Sequence, residues 1–185
     1  FQLNSQAICM TDPKIQGKDT ICGIADTLTY HTTSDSTHTY QWQVSGPGSV
    51  VKGRAQDSAL VRWDSAGRGH VTLTQTNKAG CDTLLSDTIV VSAYPSASIR
   101  GADTVCAFTD SHQYQTGQVT GHQYAWATTN GRIQTGPGTS GIEVRWRKAG
   151  TGSVSLTKTG IHGCQRTNQR IITIRPKPKP QIRLK

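Results

Sequence analysis

The chain repeats itself. Asp19-Thr20-Ile21-Cys22 returns as Asp103-Thr104-Val105-Cys106 and Tyr40-Gln41-Trp42 as Tyr124-Ala125-Trp126, at one common offset (103 − 19 = 124 − 40 = 84). Val61-Arg62-Trp63 and Gly80-Cys81 return as Val144-Arg145-Trp146 and Gly163-Cys164 at an offset one shorter (144 − 61 = 163 − 80 = 83), so a single deletion separates the copies. Self-similarity at a fixed period marks an array of structural units, which constrains the fold more than any one motif. Pro178 and Ile182 stand at that same shorter offset from Pro95 and Ile99 (178 − 95 = 182 − 99 = 83), as the start of a third copy would. The expected division is 1–12 as the end of a preceding segment, 13–94 and 95–177 as two domains, and 178–185 as the start of a third repeat or a linker. Units of roughly 80 residues can close a core, yet are small enough for a covalent staple to matter.

Hydrophobic alternation identifies the class. Val71-Thr72-Leu73-Thr74 and Val154-Ser155-Leu156-Thr157 place Val and Leu on one face and small hydroxyls on the other, the pattern of a half-buried strand. Val61 and Trp63, with Val144 and Trp146, do the same around outward Arg62 and Arg145. No apolar stripe of helical period appears. Strands are expected near 14–18, 27–33, 38–45, 58–63, 69–77 and 84–93, with equivalents one repeat later in the second copy. Gly67-Arg68-Gly69 and Gly150-Thr151-Gly152 read as tight turns. The prediction is all-β: two tandem antiparallel β-sandwiches. Pro95 and Pro176-Lys177-Pro178-Lys179-Pro180 fall where copies join and read as stiff, extended linkers.

An apolar fraction of 34% is below the roughly 45–50% usual for globular chains. The four Trp and the alternation nonetheless argue for folded domains with much exposed sheet. The net charge of +9 is unevenly spread: residues 13–94 balance seven Lys/Arg with seven Asp, while residues 95–175 set nine Lys/Arg against Asp103, Asp110 and Glu143. Basic character therefore belongs to the second copy and the tail, which argues against nucleic acid as a partner common to the repeats. No run of roughly 20 apolar residues is present to span a membrane, and no signal-peptide pattern opens the chain.

Five cysteines lie at 9, 22, 81, 106 and 164. The pairs Cys22/Cys81 and Cys106/Cys164 recur at nearly equal separations (81 − 22 = 59, 164 − 106 = 58) in matched contexts, so the leading expectation is one disulfide within each copy. Closing such a loop would contribute about 4 kcal/mol in the chain-entropy model and would place the chain in an oxidising compartment. Buried thiols and a metal site are the alternatives, the latter without Cys-x-x-Cys or a Cys/His cluster behind it. Cys9 has no counterpart in the second copy.

The short Asp-Thr-hydrophobic-Cys opening, Tyr40-Gln41-Trp42, Val61-Arg62-Trp63, the stretch Gly67 to Val71 and Gly80-Cys81 together resemble the PKD-like and immunoglobulin-like modules found in tandem in Bacteroidetes surface proteins. The resemblance covers both copies and implies immunoglobulin-like sandwiches serving as extracellular spacers and adhesive stalks. In such proteins it further implies type IX secretion and, in some, gliding or attachment. Two features depart from the related patterns. Trp42 is followed by Gln43-Val44-Ser45-Gly46 in place of the acidic turn of PKD domains, and no Tyr lies two residues before Cys81 or Cys164.

Candidate sites are few. Gly136-Pro137-Gly138-Thr139-Ser140-Gly141 has the letters of a dinucleotide loop, but a strand follows where a phosphate-binding helix should stand, so it reads as a hairpin loop. The six His form no metal spacing, Glu143 is the sole Glu, and no nucleophile, base and orienting group come together in sequence, so no catalytic, metal or cofactor residue is assigned. Because Trp42, Trp63, Trp126 and Trp146 recur within alternating strands, they read as core and not as sugar-stacking platforms. Tyr94 and Phe108 have no aromatic counterparts. Arg145, Arg147 and Lys148, with Arg132 and Lys158 as further members, form a basic stripe. It reads either as a solvated face that discourages edge pairing or as an anion or partner patch.

These readings point to a non-enzymatic extracellular repeat region, a stalk, adhesin or filament segment. Its expected partners are neighbouring repeats, surface polysaccharide or other copies in a fibre, without nucleic acid or membrane insertion. The alternative is a set of accessory carbohydrate-binding or spacer domains of a secreted hydrolase.

Overall fold

The computed structural model describes residues 13–24, 27–108 and 110–177, and the chain divides into two units between Ala93 and Tyr94. The described residues form strands and turns and no helix. The first unit holds β1 (Thr20–Cys22), β2 (Thr27–His31), β3 (His38–Ser45), β4 (Gly48–Lys52), β5 (Ser58–Trp63), β6 (Gly67–Asn77) and β7 (Asp82–Ser92). They make two sheets, ordered β1-β7-β6-β3 and β2-β5-β4. The second unit repeats the plan with β8 (Arg100–Gly101), β9 (Thr104–Cys106), β10 (His112–Gln115), β11 (Gln123–Thr129), β12 (Gly131–Thr135), β13 (Gly141–Trp146), β14 (Gly150–Thr159) and β15 (Gln165–Arg175). Its sheets run β9-β15-β14-β11 and β8-β10-β13-β12.

The all-β class is as the alternation predicts, and most neighbours are antiparallel. The β1–β7 and β9–β15 pairs are parallel. They arise because the first segment of each copy changes sheets. The expected strand at 14–18 is reduced to one bridge, Gln16 with His31, and the chain then crosses to lay Thr20–Cys22 along the end of β7. Sequence reading also missed β4, whose onset follows Gly46-Pro47 and looks like more loop. In place of a hairpin, that turn carries the chain from one sheet to the other.

Each core is closed by inward positions of both sheets. In the first unit Trp42, Val61, Trp63, Val71 and Leu73 are fully buried beside Tyr30 and Ile89. In the second, Trp126, Val144, Trp146, Val154 and Leu156 occupy the corresponding places beside Tyr114 and Ile172. Burial leaves the indole N–H in need of an acceptor. Trp42 Nε1 donates to the Gln56 carbonyl and Trp126 Nε1 to the Thr139 carbonyl, each at 2.8 Å. Gly69 and Gly152 lie inside β6 and β14, not in turns. A Cβ on either would stand 2.5 or 2.6 Å from the Trp63 or Trp146 ring, so the missing side chain makes room for the indole.

The cysteine pairing within each copy is overturned. Cys22 lies in register with Ser92, at the far end of β7 from Cys81. The ten steps from Asp82 to Ser92 span roughly 33 Å at strand rise, whereas a disulfide holds its Cα atoms about 4.4–6.8 Å apart. Cys106, in register with Arg175, is separated from Cys164 in the same way along β15. Cys22, Cys81 and Cys164 are disulfide-bonded. Cys106 carries a thiol with interactions of its own. Cys9 and the start of a third repeat at 178–185 lie outside the described residues.

Candidate functional site

The basic residues of the second copy gather at one end of its β12–β13 hairpin. Arg132 on β12 is paired directly across from Arg145 on β13. The register slips between Ile133 and Thr135, leaving Gln134 as the extra residue of a bulge, and bulges re-aim the side chains they carry. Beyond the end of β13 the Arg147 N–H donates to the Asn130 carbonyl, while Asn130 Nδ2 donates to the Lys148 carbonyl at 2.9 Å. Asn130 itself sits in the left-handed region at φ 59°, where Asn is among the better-tolerated residues. These bonds tie the two loops together and fix where Arg147 and Lys148 leave the sheet.

A cleft of about 590 Å³ results, lined by Phe108, Arg132, Gln134, Arg145, Trp146, Arg147 and Lys148. Trp146 is its buried floor, held edge-on against Tyr114 with ring centres 6.1 Å apart. Phe108 forms a wall: its N–H donates to the Trp146 carbonyl, and its side chain is 61% exposed. The structure thus brings together Arg145, Arg147 and Lys148 with Arg132, and sets Phe108 beside them. Among the described residues no carboxylate comes within ion-pair distance of the four cations.

Lys158 does not belong with them. It follows Val154 and Leu156 on the inward face of β14 and is buried, its Nζ donating to the Gly117 carbonyl at 2.7 Å and lying 5.2 Å from the Tyr124 ring centre. The first copy has buried Gln75 at the equivalent place (158 − 83 = 75). Tyr94, the other unmatched aromatic, lies under the Arg166 guanidinium at 5.6 Å, away from the cleft. The glycine-rich segment 136–141 joins β12 to β13. Its Thr139 hydroxyl donates to the Gly141 carbonyl at 2.7 Å, and a Cβ on Gly136 would stand 2.2 Å from that same oxygen.

Among the described residues, no group of three His, Cys, Asp or Glu is placed to hold a metal ion. His38 meets Asp35 at 3.0 Å at the edge of β3, and Asp35 in turn accepts from the Thr37 hydroxyl and N–H, which hold its carboxyl below the usual carboxylate range. The Thr37 hydroxyl also lies 3.1 Å from His38 Nδ1, with its hydrogen directed at Asp35, so the three side chains form one local turn at the start of β3.

The sequence profile of a family described as PKD-like domain matches residues 9–89 and again 92–174. Among solved structures, an I-band fragment of titin aligns over 90% of this chain and 67% of its own length, at 12% identity and a TM-score of 0.46. The fibronectin(III)-like modules of Clostridium thermocellum CbhA align over 92% of this chain and 100% of theirs, at 8% identity and 0.47. The D00–D0 domain of intimin aligns over 87% and 99%, at 12% identity and 0.41. No curated protein matches the chain.

Proposed function

We propose, from the premise that this chain belongs to the PKD-like domain family in both of its copies, that it is a non-enzymatic stalk or adhesin segment of a larger extracellular protein. Immunoglobulin-like and PKD-like domains are typical of extracellular adhesion or spacer regions and are generally structural. The observation that carries the reading is what recurs. The large side chains common to both copies are the buried aromatics and inward aliphatics, and the glycines that make room for them recur with them. Repetition of a core suits a part that supplies length and rigidity. Disulfide-bonded cysteines favour an oxidising compartment, in keeping with a surface location.

In this reading the copies are mechanical units, and individual faces diverge to take specific contacts. Antibody raised against the 185-residue chain should label intact, unpermeabilised cells, and deleting the segment should weaken attachment or self-association without abolishing a catalytic activity. Labelling that requires permeabilised cells would overturn it. Loss of a secreted hydrolase activity on deletion would favour the accessory-domain alternative.

A further inference from the structure

We propose that the cleft of the second copy binds an acidic polysaccharide, a glycan whose pyranose rings carry carboxylate or sulfate groups. The source class rests on the extracellular reading above, but the anion preference does not. Three observations carry it.

The first is a cross-strand pair of like charges. Arg132 and Arg145 face one another directly, an arrangement that destabilises a sheet when left alone. The first copy avoids it. There Ser49 faces Arg62, and Arg62 Nε meets Asp64 Oδ1 at 2.8 Å. In the second copy Asp64 is replaced by Arg147, Ser49 by Arg132 and Ser65 by Lys148 (147 − 64, 132 − 49 and 148 − 65 are each 83). The formal charge of these four positions rises from 0 (+1 − 1) to +4 on an unchanged backbone frame. An oxyanion shared between the guanidinium groups relieves that repulsion, and guanidinium forks match planar or tetrahedral oxyanions better than ammonium does.

The second is Phe108. It holds a left-handed backbone at φ 56°, a conformation that strains a residue of this size, and presents an apolar ring to solvent. Strained, exposed residues gather at binding sites because the conformation aims the side chain. Ile24, its counterpart (108 − 84 = 24), does not share the positive φ.

The third is the chemistry of the lining. One exposed aromatic ring, Phe108, in the same lining as the Gln134 amide suits a sugar, with the ring against its C–H face and the amide on its hydroxyls. Single-stranded nucleic acid would instead call for successive aromatic platforms, one per base. The cleft volume of about 590 Å³ suits a few sugar units.

The test is titration of the 185-residue chain with polygalacturonate, dextran sulfate, neutral dextran and an oligothymidylate, read by calorimetry at two salt concentrations. Polygalacturonate or dextran sulfate should bind and weaken with salt, and which of them binds more tightly identifies the anion; neutral dextran should not bind. The double variant R145A/R147A should lose about tenfold or more in affinity. The single variant Arg147→Asp copies the ion pair of the first copy, so it should abolish binding while leaving the unfolding transition unchanged or raised. Phe108→Ala should weaken binding with the same salt dependence. Absence of binding to either anionic glycan, tighter binding to the oligothymidylate, or affinity unaltered in Arg147→Asp would each overturn the proposal. None of these outcomes bears on the stalk reading, which is tested by surface labelling.

Discussion

Cys22 stands in register with Ser92, a strand-length away from Cys81. The recurrence of two cysteines in matched contexts is therefore not a sign that they bond to each other. Peptide mapping without reduction should recover no fragment joining Cys22 to Cys81 or Cys106 to Cys164. Alkylation before reduction should leave Cys22, Cys81 and Cys164 protected. Recovery of either within-copy link would show that the strand register is wrong.

The Trp42 indole combines bulk with a hydrogen bond to the Gln56 carbonyl. Trp42→Phe keeps most of the bulk and strands the acceptor, which should cost about 1–3 kcal/mol. Trp42→Ala adds a cavity and should cost about 3–5 kcal/mol. Urea unfolding followed by circular dichroism separates the two; a Trp42→Phe protein as stable as the parent would mean that the hydrogen bond contributes nothing, and equal costs for the two variants would mean that the cavity adds nothing.

Gly53 and Gly80 have nearly the same backbone, φ 79° and 80°, in different surroundings. A Cβ at Gly53 would lie 2.1 Å from the Ser58 carbonyl oxygen, whereas nothing stands within 4 Å at Gly80. Gly80→Ala should cost only the left-handed strain, about 1–2 kcal/mol. Gly53→Ala should cost clearly more, and thermal shifts that do not differ would count against the hairpin geometry.

Burial pushes the Tyr30 phenol up to about 12 and raises that of Tyr114 as well. A raised folded value means that the fold favours the neutral phenol. Its contribution is full below about pH 10, the ordinary tyrosine value, and is lost as pH rises through about 12. Stability should fall across that window, and Tyr30→Phe, which cannot ionise, should fall less steeply. The substitution also removes the hydroxyl bond to the Lys18 carbonyl, so its stability near neutral pH should be lower by about 1 kcal/mol. Identical alkaline slopes for the two proteins would refute the assignment.

The β class, the repeat and the inward faces of β5, β6, β13 and β14 were legible because alternation is a local signal: Val71 and Leu73, or Val144 and Trp146, declare their side by parity alone. The same parity places Lys158 inward after Val154 and Leu156, yet its charge led to an outward reading. Burial is tolerated there because the Gly117 carbonyl and the Tyr124 ring receive the ammonium. Phe108 carried one signal, the lack of an aromatic counterpart, and its place beside Arg132 and Arg145 follows from a backbone bond to Trp146 that no spacing announces.

The sequence by itself determined that two like units exist, that they are built of strands, and that the second carries the positive charge. Only the tertiary structure decided which residues share an end of a sheet. Strand pairing joins residues far apart in the chain, and register, sheet switching and bulges set that pairing one residue at a time. For that reason Cys22 and Cys81 part company, while Arg132, Arg145 and Phe108 meet.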